Sequence, residues 1–120
     1  MEEAQAPPSV AEAKNNLNEN MLIIDSGEFD FTFYKWPDAK HMMNSKGERK
    51  YSKTINFKKK YKSSPNVIVS LKGIDSANHA YIRINLFAKN ISNTGFDLEC
   101  LTWEDSAVYG VYASWIAVGY

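Results

Sequence analysis

TGFDLECLTWEDSAVYGVYASWIAVGY, residues 94–120, decides how the rest of the chain is read. From Phe96 the residues alternate, with Phe96, Leu98, Cys100 and Thr102 on one side and Asp97, Glu99, Leu101 and Trp103 on the other. That period of two is the mark of a strand with one buried face. The following strand, residues 107–118, is bulky on both faces, Tyr109, Val111 and Trp115 against Val108, Tyr112, Ile116 and Val118. Such a strand is expected to be covered twice, by a partner sheet and by another subunit. Between the two strands stand Trp103, Glu104, Asp105 and Ser106, which form either a turn over an aromatic plug or the wall of a binding site.

Working outward, the same period recurs. Leu22, Ile23 and Ile24 together with residues 28–33 predict a first strand, with a bulge at Ser26-Gly27. Residues 36–46, polar and containing Pro37, read as loop. Further strands are predicted over residues 50–57, 66–72 and 80–91, separated by turn clusters at 63–65, 75–78 and 92–95. In the fourth of these strands Ile82, Ile84, Leu86 and Ala88 share one face, so Arg83 points away from the core. Six strands, no internal helix and short connections predict an all-β fold, a six-stranded antiparallel sandwich over residues 22–120.

The first 21 residues read differently. Pro7 and Pro8 lie among acids and alanines, while Ser9 with Glu12 has the spacing of a helix cap and Val10, Ala13, Leu17 and Met21 recur at helical spacing, a short amphipathic segment of roughly three turns. The expectation for 1–21 is a leader, disordered or a short helix. With 120 residues and 44% hydrophobic content the chain has room for one domain and one core. Formal net charge is zero, which provides no global field for nucleic acid or membrane, and neither is expected as a partner. Eight basic residues between Lys46 and Lys62 face one acid, Glu48. They could attract phosphate or a sulfated glycan, but lysines that guard a strand edge are the preferred reading. Cys100 is the single cysteine and sits on the core face, which suits a buried thiol in a reducing compartment. No secretory signal pattern or long apolar run is present, so a cytoplasmic location, or export by a non-classical route, is expected.

The ordered series Pro65 to Leu71, Ile74-Asp75, Ile82-Arg83-Ile84, Asn90-Ile91-Ser92, Gly95-Phe96, Thr102 to Ser106, Val108-Tyr109 and Ser114 to Ala117 resembles the H-type lectin domain. That family includes snail agglutinins and the C-terminal domain of the discoidins. The resemblance covers residues 23–120 and implies a sandwich, a homotrimer or dimer of trimers, and shallow sites for galactose or N-acetylgalactosamine at subunit boundaries. It assigns sugar contacts to Arg83, Trp103, Glu104 and Tyr109, with a loop carboxylate from Glu48 and Asp38 in reserve. The loop acid has no direct match: Lys46 aligns there without a gap, and only a small shift lets Gly47-Glu48 supply the carboxylate. Two further positions depart from the family: Glu104 replaces the residue that usually follows the tryptophan, and Phe31 stands where the disulfide partner of Cys100 would be. The last departure favours a discoidin-like member.

The chemistry of those side chains fits a sugar independently. A guanidinium donates and a carboxylate accepts, so together they read the adjacent 3- and 4-hydroxyls of a galactose-type ring. Indole and phenol rings cover its apolar C–H face. Catalysis is not expected: Glu104 and Asp105 are neighbours with no reason for divergent pKa values, His41 and His79 are far apart, and no metal or phosphate-loop spacing exists. No cofactor is implied. The rival expectation is an oligomeric sandwich that has lost its sugar site and serves as a scaffold or protein-interaction module. The lectin reading adds agglutination or cell-adhesion activity through several copies.

Overall fold

A computed structural model describes residues 21–120, and the leader expected over 1–21 lies outside them but for its last residue. Six strands follow in order: β1 (Ile23–Thr32), β2 (Arg49–Asn56), β3 (Asn66–Ser76), β4 (Asn85–Lys89), β5 (Gly95–Thr102) and β6 (Val108–Gly119). They form two antiparallel three-stranded sheets, β1-β6-β3 and β2-β5-β4, packed face to face. The six-stranded antiparallel sandwich read from the sequence is the architecture observed.

The inward alternation of β5 places Phe96, Leu98, Cys100 and Thr102 in the core, all at 2% exposure or less, opposite Val111, Ala113, Trp115 and Ala117 of β6. Two aromatic groups fill the ends. Phe57, Phe96 and Trp115 meet at centroid separations of 5.4–5.9 Å with Tyr61 against Phe57, while Phe31, Phe33 and Tyr51 meet edge-on near the other end. Each ring contributes about 1.5–3 kcal/mol through burial. Burial also pushes the Cys100 thiol up to about 12, so it stays protonated and inert within the core.

Three sequence expectations change. No bulge exists at Ser26-Gly27: β1 pairs with β6 without interruption, Gly27 opposite Trp115. The glycine is there for space, since a Cβ would lie 2.8 Å from the Trp115 ring. The first strand ends at Thr32, one residue short of its expected end, with a 3₁₀ turn at Phe33–Lys35, and the segment read as loop, 36–46, contains a second at Pro37–Met43, which buries Ala39 and Met42, three residues apart, against the core. The predicted fourth strand shortens to Asn85–Lys89, and the irregularities in pairing fall instead in β3, between Leu71 and Gly73 and between Asp75 and Ser76.

The register fixes which loops meet. Thr32 pairs with Gly110, Arg49 with Thr102, and Ser76 with Val108. Residues 33–48, 77–84 and 103–107 therefore gather at one end of the sandwich.

Candidate functional site

At that end the loops are stitched by Arg49, a residue that the sequence groups with the edge lysines. It is 6% exposed. Its Nε donates to the Gly47 carbonyl and its Nη2 to the Glu104 carbonyl, both at 2.9 Å, while Nη1 reaches the carbonyls of Met42 (3.4 Å) and Ser106 (2.5 Å). A planar fork with five donors suits several carbonyls at once, which an ammonium could not match. Burial lowers the Arg49 pKa from its ordinary value. The consequence is geometric: the peptides of Gly47 and Glu104 sit on the same guanidinium. Gly47 adopts φ +67° and Glu104 φ +58°. The second is a left-handed backbone in a non-glycine residue, a conformation that persists only where neighbouring contacts hold it.

Arg83 is held by the same turn. Its N–H donates to Ser106 Oγ (3.0 Å), and its carbonyl accepts from Thr102 Oγ1 (2.6 Å). Ser106 Oγ in turn donates to the Tyr81 carbonyl. These side-chain bonds replace a sheet ladder over residues 81–83, which explains why an alternating sequence gives an extended arm there rather than a strand. The Arg83 guanidinium uses Nη1 to pair with Asp105 Oδ1 at 2.6 Å and to reach Ser106 Oγ at 3.4 Å. Its Nε and Nη2 make no hydrogen bond among the described residues. Hydrogen bonding from Arg83 is the main cause of an Asp105 pKa below the usual carboxylate value, so that carboxylate stays ionised and the guanidinium stays aimed.

A third tie runs over the surface. His79 Nε2 lies 3.1 Å from the Asp105 carbonyl and 3.2 Å from Ser45 Oγ. Among the expected contacts, Trp103 and Tyr109 flank the 103–107 turn and are 37% and 36% exposed, open enough to offer a ring face. The Glu104 and Glu48 side chains are exposed, without a partner among the described residues. Asp38 is engaged elsewhere: both its carboxylate oxygens lie within 3.4 Å of the Tyr51 hydroxyl, outside the Arg49–Glu104 stitch. Both loop acids lie on a segment that Arg49 ties, Asp38 through Met42 and Glu48 beside Gly47, and of the two it is Asp38 whose carboxylate is already engaged.

Sequence reasoning assigned no contact to Arg49, Ser45 or His79, and it placed Asp105 and Ser106 in a turn or site wall without giving either a part in holding Arg83. Asp105 and Ser106 do carry a signal, since they follow Trp103 directly in the tract that first suggested a site. Among the described residues no group of His, Cys, Asp and Glu has the arrangement to hold a metal ion. The larger cavity, about 660 Å³, lies at the other end of the sandwich, lined by Met21 to Ser26 and Lys58 to Lys60, and touches none of the expected sugar contacts.

Residues 52–118 match the H-type lectin domain, more than half of the chain. The chain is 30% identical over 87 residues to ATP synthase subunits region ORF 7 of Fuscovulum blasticum, an alignment covering 72% of this chain and 76% of that protein. Its fold is similar to discoidin II of Dictyostelium discoideum, with a TM-score of 0.72 at 24% identity over 83% of this chain, which spans 38% of the discoidin chain. It is also similar to an N-truncated R1-type pyocin tail fibre, with a TM-score of 0.56 at 14% identity, over 97% of this chain and all of that one. No helix among the described residues is long and apolar enough to cross a membrane.

Proposed function

Because the chain belongs to the H-type lectin domain family, whose domains bind carbohydrate, we propose that it is a lectin for galactose and N-acetylgalactosamine-type glycans that works through several copies. The observation that carries this reading is the Arg83 guanidinium, aimed by Asp105 on one nitrogen and left with Nε and Nη2 to donate. Two donors fixed on a planar group suit two adjacent sugar hydroxyls. Glu104, and Glu48 from the stitched loop, supply carboxylates that accept from the hydroxyls and from an acetamido N–H. Trp103 and Tyr109 provide the apolar area for the sugar's C–H face.

The outer surface of β1-β6-β3 supports assembly as a homotrimer or dimer of trimers. Ile24, Ile68, Tyr112 and Ile116 are exposed there by 63%, 59%, 39% and 37%, and Ile68 pairs directly with Ile116. A contiguous apolar patch on a soluble domain marks a surface that another chain covers. Single shallow sites bind weakly, and three or more displayed together give avidity, hence agglutination and cell recognition.

The test is a glycan array on the wild type beside Arg83→Ala, with the mass of both checked by light scattering. Galactose-family signals in the wild type that fall by about tenfold or more in the variant are expected, because a charge-assisted pair of hydrogen bonds is lost. A folded oligomer that binds no glycan would overturn the lectin reading and leave an assembly scaffold. Since the Asp105 pKa is depressed, the aimed state of Arg83 is complete above the ordinary carboxylate range, and it is lost only as pH falls through the lowered value.

A further inference from the structure

We propose that His79 is a positioning residue of the sugar site, a clamp that sets Arg83 and the 44–48 loop relative to each other without touching the ligand. The proposal rests on the lectin reading above. Its basis is the partner set of one nitrogen. Asp105 O can only accept, so Nε2 must carry the proton, and Ser45 Oγ takes the second branch of the same N–H. In the neutral ring Nδ1 is then bare. His79 therefore pins the peptide of the residue whose carboxylate aims Arg83, and with its other branch it pins the loop that leads into Gly47-Glu48.

Arg49 ties the same two segments from beneath, through Gly47 and Glu104, so the clamp has an inner and an outer half. The inner half is buried and holds the fold. The outer half is exposed and makes no core contact, so removing it leaves folding intact while the Asp105 peptide and the Ser45 loop gain freedom. Freedom at Asp105 is transmitted to Arg83 because their pair closes at 2.6 Å. Recognition that depends on two donors in a fixed plane loses affinity when that plane wanders.

The experiment is titration calorimetry with N-acetylgalactosamine on full-length wild type, His79→Ala, His79→Gln and Arg83→Ala, with melting temperature and mass measured for each. His79→Ala is expected to bind about fivefold to tenfold more weakly, at an unchanged melting temperature and mass, as one exposed hydrogen-bonded tie is lost. His79→Gln is expected to recover most of the affinity, because its amide N–H can donate to the same carbonyl and hydroxyl. A wild type that binds and loses binding in Arg83→Ala, while His79→Ala binds as tightly as wild type, overturns this proposal alone. Failure of glutamine to rescue overturns it too, because the ring would then be the sugar contact. A wild type that binds no sugar removes the lectin reading and this role together. The clamp itself is read separately by nitrogen–proton correlation of the His79 ring at pH 8: a protonated Nε2 with a bare Nδ1 supports it, and the opposite tautomer overturns it.

Discussion

The outward faces of the two sheets are built from the same alternating pattern and treated in opposite ways. On β2-β5-β4 the central strand presents Asp97 and Glu99. Thr54 and Asn90 donate to Asp97 at 3.0 and 2.8 Å, and Lys50 and Lys89 flank Glu99 from the neighbouring strands at 3.6 Å each. The Glu99 side chain is only 8% exposed because lysine stems lie over it while their ammonium groups reach water. On β1-β6-β3 the corresponding positions are Ile24, Ile68, Tyr112 and Ile116, with a single ion pair, Lys72–Glu28, nearby. One face pairs its charges within the chain, although Glu99 Oε2 is buried without a hydrogen bond and has only the Lys89 ammonium at 3.6 Å. The other leaves Ile24, Ile68, Tyr112 and Ile116 exposed, the surface on which the proposed assembly rests.

The comparison can be broken most forcefully on the apolar face. Ile68→Asp with Ile116→Asp puts two carboxylates side by side in the patch, and the assembled mass should fall to that of one chain by light scattering. Agglutination or array avidity should drop about 10²- to 10⁴-fold with it. A double variant of unchanged mass would show that this face is not where copies meet. Gly27→Ala probes the core just beneath, where the new methyl would strike the Trp115 ring. A loss of about 1–3 kcal/mol is expected, several degrees in melting temperature, with the mass unchanged. The smallest effect belongs to the charged face. Glu99→Gln should change stability by less than about 1 kcal/mol, since the two lysines are half exposed and solvent screens them, and it should leave assembly alone. If that substitution altered the mass instead, the roles of the two faces would be reversed.

Much of this was legible before any coordinates. The alternation of Phe96, Leu98, Cys100 and Thr102 identified the core face of β5, because a strand with one dry side writes its burial directly into the sequence. The double-sided bulk of β6 was read as two coverings, of which the fold supplies one, the β2-β5-β4 sheet against Val111 and Trp115. Gly27 was misread because a glycine within a strand pattern has two causes, a bulge or a close neighbour, and the neighbour, Trp115, is remote in sequence. Residues 80–84 kept a strand's alternation yet form no ladder. Their partners are the side chains of Thr102 and Ser106, and side-chain bonds to backbone leave no period behind. The same limit hid the clamp. Arg49 and His79 act on carbonyl oxygens, which every residue possesses, so nothing in the partner's identity announces the contact. Arg83, Trp103, Glu104, Tyr109 and Glu48 were named through family resemblance, and their use by a ligand is for the binding experiments to decide.

Ile23 lies opposite Gly119 across the β1–β6 ladder, so the described chain enters and leaves at the pole remote from residues 103–107. The 12 residues of β6 span the distance between, about 40 Å at the rise of a strand. Cargo joined after Gly119 would hang on the far side of the described domain and leave the loops at 103–107 unobstructed. Immobilised through Tyr120 on a bead, the described domain would point those loops outward, and a label at Tyr120 would report the proposed binding from a strand's length away.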